Sequence, residues 1–171
     1  MRGAALVSGL ALSLAGCAPH VVSVLSATQG AAAERPMPLH VMVESTAVRL
    51  PLPVGGANVA FSGVDRALLR STERAFSPIL SKLGGARRFE VIVELIEARA
   101  EYSGDQMVIT LETRATLRAT VGNAYIAQTH AHASATASGP PERGQDAVRG
   151  ATDAIGKQLA GWLLGQDLEH R

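Results

Sequence analysis

Alternation of apolar and polar residues is most regular between Met107 and Val121. Met107, Ile109, Leu111, Ala115, Leu117, Ala119 and Val121 share one parity, with Thr113 among them. Thr110, Glu112, Arg114, Thr116, Arg118 and Thr120 share the other. A period of two over so long a run predicts a strand with one buried and one wet face.

The preceding run, Arg88 to Tyr102, changes parity halfway. Phe89, Val91, Val93 and Leu95 alternate correctly, and then Ile96, Ala98, Ala100 and Tyr102 take over. One extra residue near Leu95-Ile96 repairs the pattern, so a β-bulge is expected there. With a turn at Ser103-Gly104-Asp105, Tyr102 falls beside Met107 and Ala98 beside Leu111, and bulge and turn agree.

After Gly122-Asn123, a further strand places Tyr125, Ala127, Ala131, Ala133, Ala135 and Ala137 on one face. Gln128, His130, His132, Ser134 and Thr136 occupy the other. A strict two-residue turn would bury the polar row, at a cost of several kcal/mol. A three-residue or bulged turn is therefore expected, keeping the alanine stripe inside, where small side chains let a helix pack close.

Earlier, Leu39 to about Val48 alternates as a first strand, with His40 on the less buried face. Pro51 to Gly56 then reads as a loop, because two prolines and two glycines interrupt a ladder. Asn58 to Phe61 adds at most a short extended piece. Val64, Leu68, Ala75, Phe76, Ile79, Leu80 and Leu83 lie on one helical stripe, predicting a helix from Ser62 or Asp65 to Leu83 with a kink or break at Pro78. A second helix is predicted over 145–164. Its apolar stripe is Val148, Ala151, Ile155, Leu159, Trp162 and Leu163, and Gly165 fits its end.

The order β-α-β-β-β-α leaves two amphipathic helices and one apolar sheet face. The expected fold class is α+β: a two-layer sandwich with a mainly antiparallel four-stranded sheet and both helices on one face. Domain organisation follows: 1–16 a signal peptide, 17–38 a lipidated N-terminus and flexible tether, 39–165 a single α+β domain, and 166–171 a frayed tail.

The leader carries the most specific chemistry. Arg2 precedes an apolar run from Ala4 to Leu14, which is too short to span a bilayer. Leu14-Ala15-Gly16-Cys17 follows and resembles the lipobox of bacterial lipoproteins. That resemblance implies cleavage before Cys17 and acylation of the chain's one cysteine. Several acyl chains on one residue anchor stably without a transmembrane helix, each methylene contributing about 0.8 kcal/mol. Ala18, where sorting rules of that family want Asp for inner-membrane retention, implies the outer membrane.

Charge narrows the partners. Losing Arg2 with the leader brings 16 basic residues to 15, against 15 acidic ones. A neutral chain argues against nucleic acid and against electrostatic attachment to acidic headgroups. Aromatics make up 4%, so the core must be aliphatic. Enzyme motifs are absent from the sequence: no Gly-x-Ser-x-Gly, no phosphate loop, no His-Glu-x-x-His and no dinucleotide glycines. The chain reads as non-enzymatic, with no cofactor.

The element order behind a lipobox resembles small envelope lipoproteins of the YajG type and the lipoprotein subunits that accompany some envelope ABC transporters. The long polar sheet face, with no helix predicted to cover it, points to a periplasmic protein-binding adaptor or assembly factor on the outer membrane. The second resemblance implies a transporter auxiliary handling lipid or other apolar cargo. Candidate partner contacts lie on the polar sheet face: Glu112, Arg114, Thr116, Arg118, His130 and His132, with Thr110 and Ser134 beside them. Glu97, Arg99, Glu112 and Arg114 are placed for diagonal ion pairs. His130 and His132 have strand spacing suited to a metal, but no third ligand is evident. A solvated strand face is the expectation, with no metal site assigned.

Overall fold

A computed structural model describes residues 20–23, 39–44, 50–54, 57–80, 89–103, 105–166 and 168. Its elements are β1 (His20–Ser23), β2 (Leu39–Glu44), β3 (Leu50–Val54), β4 (Ala57–Ser62), α1 (Val64–Leu80), β5 (Phe89–Ser103), β6 (Gln106–Ala119), β7 (Tyr125–Ser138) and α2 (Gly144–Leu164). A short 3-10 turn, Pro141–Arg143, leads into α2.

The main sheet has the order β2-β5-β6-β7. β2 runs parallel to β5, and the other pairs are antiparallel. α2 packs on β6 and β7, α1 packs on β2, and the two helices pack on each other. The α+β two-layer architecture with helices on one face is the observed fold.

Hairpin register matches the parity argument. Tyr102 pairs with Met107, Ala98 with Leu111, and the ladder shifts between Leu95 and Glu97. Ile96, the bulged residue, is half exposed. In the next hairpin the ladder shifts again: Leu117 pairs with Ala127, but Arg118 pairs with Tyr125. Ile126 is the extra residue, and the bulged turn holds Ala131 and Ala133 in the core. Gly122 and Asn123 supply the positive φ values, +78° and +49°, that close it.

The core is aliphatic, with Phe61, Phe76 and Phe89 its aromatic members. α2 approaches the alanine strand closely: a Cβ at Gly150 would lie 3.1 Å from Ala135 Cβ. It approaches α1 more closely still, since a Cβ at Gly156 would lie 2.7 Å from the Ser71 carbonyl oxygen. Between the helices Ser71 donates to Asp153 Oδ1 at 2.6 Å, and Arg74 reaches the same oxygen at 3.4 Å.

Several expectations are corrected. Pro51 to Gly56 is not simply a loop: β3 and β4 form a hairpin, and β1 joins β4 in parallel, giving a second sheet of order β1-β4-β3. β3 tolerates Pro51 and Pro53 because it is an edge strand, where a missing N–H facing away from the ladder breaks no bond. Residues 20–23, expected within a flexible tether, are held on β4. Ala75 is half-buried and Ser71 and Thr72 are buried, so the α1 stripe is more polar than the periodicity implied. Val121 is exposed beyond the end of β6. Leu168, expected in a frayed tail, is buried in the core cluster. Pro78 lies inside α1. The expected extensions of β2 to Val48 and of α1 to Leu83 lie outside the described residues.

Candidate functional site

The face of the main sheet opposite the helices is a set of cross-strand rows. Glu90 pairs with Arg118, Ile92 with Thr116, and Glu94 with Arg114. Beyond the Ile96 bulge come Glu97 with Glu112 and Arg99 with Thr110. β7 extends these rows with Tyr125 beside Arg118, Gln128 beside Thr116, His130 beside Arg114, His132 beside Glu112 and Ser134 beside Thr110. The β2 backbone brings His40, Met42 and Glu44 opposite Glu90, Ile92 and Glu94. Among the described residues neither helix lies on this face.

Its centre is an ion pair. Arg114 Nε donates to Glu94 Oε2 at 2.6 Å and Arg114 Nη2 to Glu94 Oε1 at 2.8 Å. This two-pronged geometry suits a planar guanidinium. The hydrogen bond from Arg114, with the charges of Arg114 and Arg118, holds the Glu94 carboxyl below its usual range against the opposing effect of burial. The same bond and charge raise Arg114. Glu94 and Arg114 side chains keep 32% and 42% of their surface, so solvent screens the pair.

The diagonal pairs expected among Glu97, Arg99, Glu112 and Arg114 are replaced by other partners. Arg114 takes Glu94 directly across the ladder, and Arg99 takes Glu97 on its own strand. Glu112 faces Glu97 in register, with His130 Nδ1 3.9 Å from its Oε1. Thr110 and Ser134 share a hydroxyl hydrogen bond at 2.9 Å.

Thr116, expected as a contact residue, is 8% exposed and its row partner Ile92 is 5% exposed. The pair fills the floor between the Glu90–Arg118 and Glu94–Arg114 rows, so Thr116 offers little to a partner. His130 and His132 are exposed. No three of His, Cys, Asp and Glu come together as a metal cluster among the described residues.

The free edge of β7 is covered in the middle. Gln158 on α2 accepts from the His132 N–H at 3.3 Å and donates to the His132 carbonyl at 2.8 Å. A side-chain amide thus occupies the place of one residue of an added strand.

Sequence reasoning missed Tyr125. It was expected inside with the alanines, but the Ile126 bulge reverses its parity, and it stands 63% exposed next to Arg118. The need for a bulged turn was legible, whereas the position of the extra residue was not. Cys17, the lipidation candidate, lies outside the described residues.

No protein-family model matches the chain, and no curated protein matches it in sequence. Solved structures share its fold. The crystal structure of XCC0632 from Xanthomonas campestris, of the DUF330 family, overlaps with a TM-score of 0.59 at 17% identity, covering 84% of this chain and 94% of that one. A candidate lipoprotein from Caulobacter crescentus overlaps with a TM-score of 0.51 at 10% identity, covering 75% and 92%. At these identities the likeness is one of fold: the β-α-β-β-β-α sandwich is an architecture found in bacterial proteins described at nearly full length by the match.

Proposed function

We propose that this chain is a lipid-anchored envelope protein, held through Cys17 at the periplasmic face of the outer membrane, that binds another envelope protein through the helix-free face of its main sheet. The role is that of a non-enzymatic adaptor. The carrying observation is the face itself: in-register rows of charge around the Glu94–Arg114 pair, uncovered by either helix. Satisfied cross-strand pairs keep such a surface ordered before a partner arrives, which lowers the ordering cost of binding. The lipobox-like Leu14-Ala15-Gly16-Cys17 and the fold shared with the Caulobacter candidate lipoprotein support the anchored setting.

A second reading places the chain beside an envelope ABC transporter as its auxiliary lipoprotein. The element order and the shared fold support it equally. Close packing of α2 on β7 and on α1 counts against apolar cargo lodged between helix and sheet.

Crosslinking in native envelopes, followed by purification through a C-terminal tag, tests both. The adaptor reading expects a non-transporter envelope protein whose recovery falls when Arg114 and Arg118 are reversed to Glu. Transporter subunits or co-purified lipid would favour the second reading. Unchanged recovery from the double reversal would remove this face from the interface. A Cys17→Ala chain that stayed in the membrane would remove the anchor.

A further inference from the structure

Among the described residues the two sheets end in the edge strands β1, β3, β2 and β7. Three of these carry a feature that discourages pairing with a further strand. β1 has four residues, β2 has six and ends on Glu44, and β3 carries Pro51 and Pro53. Short length, charge and proline each blunt an edge. β7 has none of them. It runs fourteen residues, from Tyr125 to Ser138, without a Lys, Arg, Asp, Glu or Pro.

The Gln158 contact shows which backbone groups of β7 face outward. His132 gives its N–H to Gln158 and accepts through its carbonyl, at 3.3 and 2.8 Å, so both groups point away from β6. Backbone groups alternate sides along an antiparallel strand. Those of His130, Ser134 and Thr136 therefore point outward as well, and among the described residues no strand pairs with them. A second β7 matches this edge. With the two strands antiparallel and centred on His132, His130 of one copy meets Ser134 of the other, and Gln128 meets Thr136. No like charges oppose one another in that register. Gln158 stands at its centre, and any strand paired across His132 has to displace it.

We infer that Gln158 guards the β7 edge: its amide holds the two backbone groups that β7 of a second copy would need, and so keeps two chains from merging their main sheets through β7. The guard sits on α2 and reaches over the edge, so it does for β7 what Pro51 and Pro53 do for β3. The inference stands apart from the Cys17 anchor and from the docking face, although β7 is the border strand of that face.

Sedimentation of the purified full chain over a concentration series tests it, comparing the parent with Gln158→Ala and with Gln158→Ala/Ser134→Pro. Gln158 is exposed, so its truncation empties no core position. The Ser134 N–H points outward, so a proline there removes a donor from the edge without breaking the β6–β7 ladder. The expected result is a mass for Gln158→Ala that climbs with concentration towards twice that of the parent. The parent stays level, and the double variant follows the parent. Amide exchange at His132 reads the same event: in Gln158→Ala it is fast in dilute solution and slows as the concentration rises. A level mass for Gln158→Ala overturns the inference, as does a rise that survives Ser134→Pro or that the parent shares. Exchange at His132 of Gln158→Ala that ignores concentration overturns it too.

Discussion

Arg114 grips both carboxylate oxygens of Glu94 across the β5–β6 ladder, at 2.6 and 2.8 Å. The contact makes the share of Glu94 in the sheet's stability sensitive to acid. Because the pair lowers the Glu94 carboxyl, its contribution to stability is fully present above the carboxyl's ordinary value of 4.5 and is lost as pH falls through the lower folded-state value. Glu94→Gln should therefore differ most from the parent near neutrality. The difference should shrink in acid denaturation below about pH 4. A gap that stayed constant down to pH 2 would mean that the charge of Glu94 contributes nothing.

The helix pair should be intolerant at one glycine and improvable at another. A Cβ at Gly156 would press on the Ser71 carbonyl, so Gly156→Ala must push α1 and α2 apart, costing about 1–3 kcal/mol. Gly161, also inside α2, has nothing within 4 Å of such a Cβ. Gly161→Ala should stabilise by up to about 1 kcal/mol through helix propensity alone. Urea denaturation of both variants checks the opposite signs.

Removing the Ser71 hydroxyl tests the polar seam between the helices. Ser71→Ala leaves Asp153 without its 2.6 Å donor while Arg74 remains within reach. The expected loss is about 1 kcal/mol, measured by thermal unfolding. No loss would mean that Arg74 and water replace the hydroxyl fully.

Gln158→Ala should change protection more than stability. Both backbone groups of His132 lose a side-chain partner at the free edge of β7, where water can replace it. Amide exchange at His132 should accelerate while that of its buried neighbours Ala131 and Ala133 stays slow. Unchanged exchange at His132 would show that the amide cap is not formed in solution.

Much of the main sheet was legible because its code is local. Parity reversal at Leu95-Ile96 marks a bulge without any knowledge of the partner strand, and a turn at Gly104-Asp105 then sets the register. The alanine stripe of β7 and its polar back were legible for the same reason. The second sheet was hidden, because Pro51 and Pro53 look like breakers unless the strand is known to be an edge. The parallel pairing of His20–Ser23 with β4 is set by a distant contact and not by a pattern in those four residues. On the candidate face, the rows of Glu112, His130 and His132 were read correctly as a polar side. Thr116 was misjudged because alternation assigns a face but not a depth. Tyr125 was misjudged because one bulged residue reverses everything before it in the strand.

Hydroxyl-radical footprinting of the chain alone and crosslinked to the proposed envelope partner tests the proposed docking face most directly. Tyr125, His130 and His132 project from the helix-free face, whereas Leu164 is exposed on α2. The account predicts that oxidation of Tyr125, His130 and His132 falls on complex formation while Leu164 is unchanged. Protection of Leu164 with no change at the two histidines would place the partner on the helical layer and contradict it.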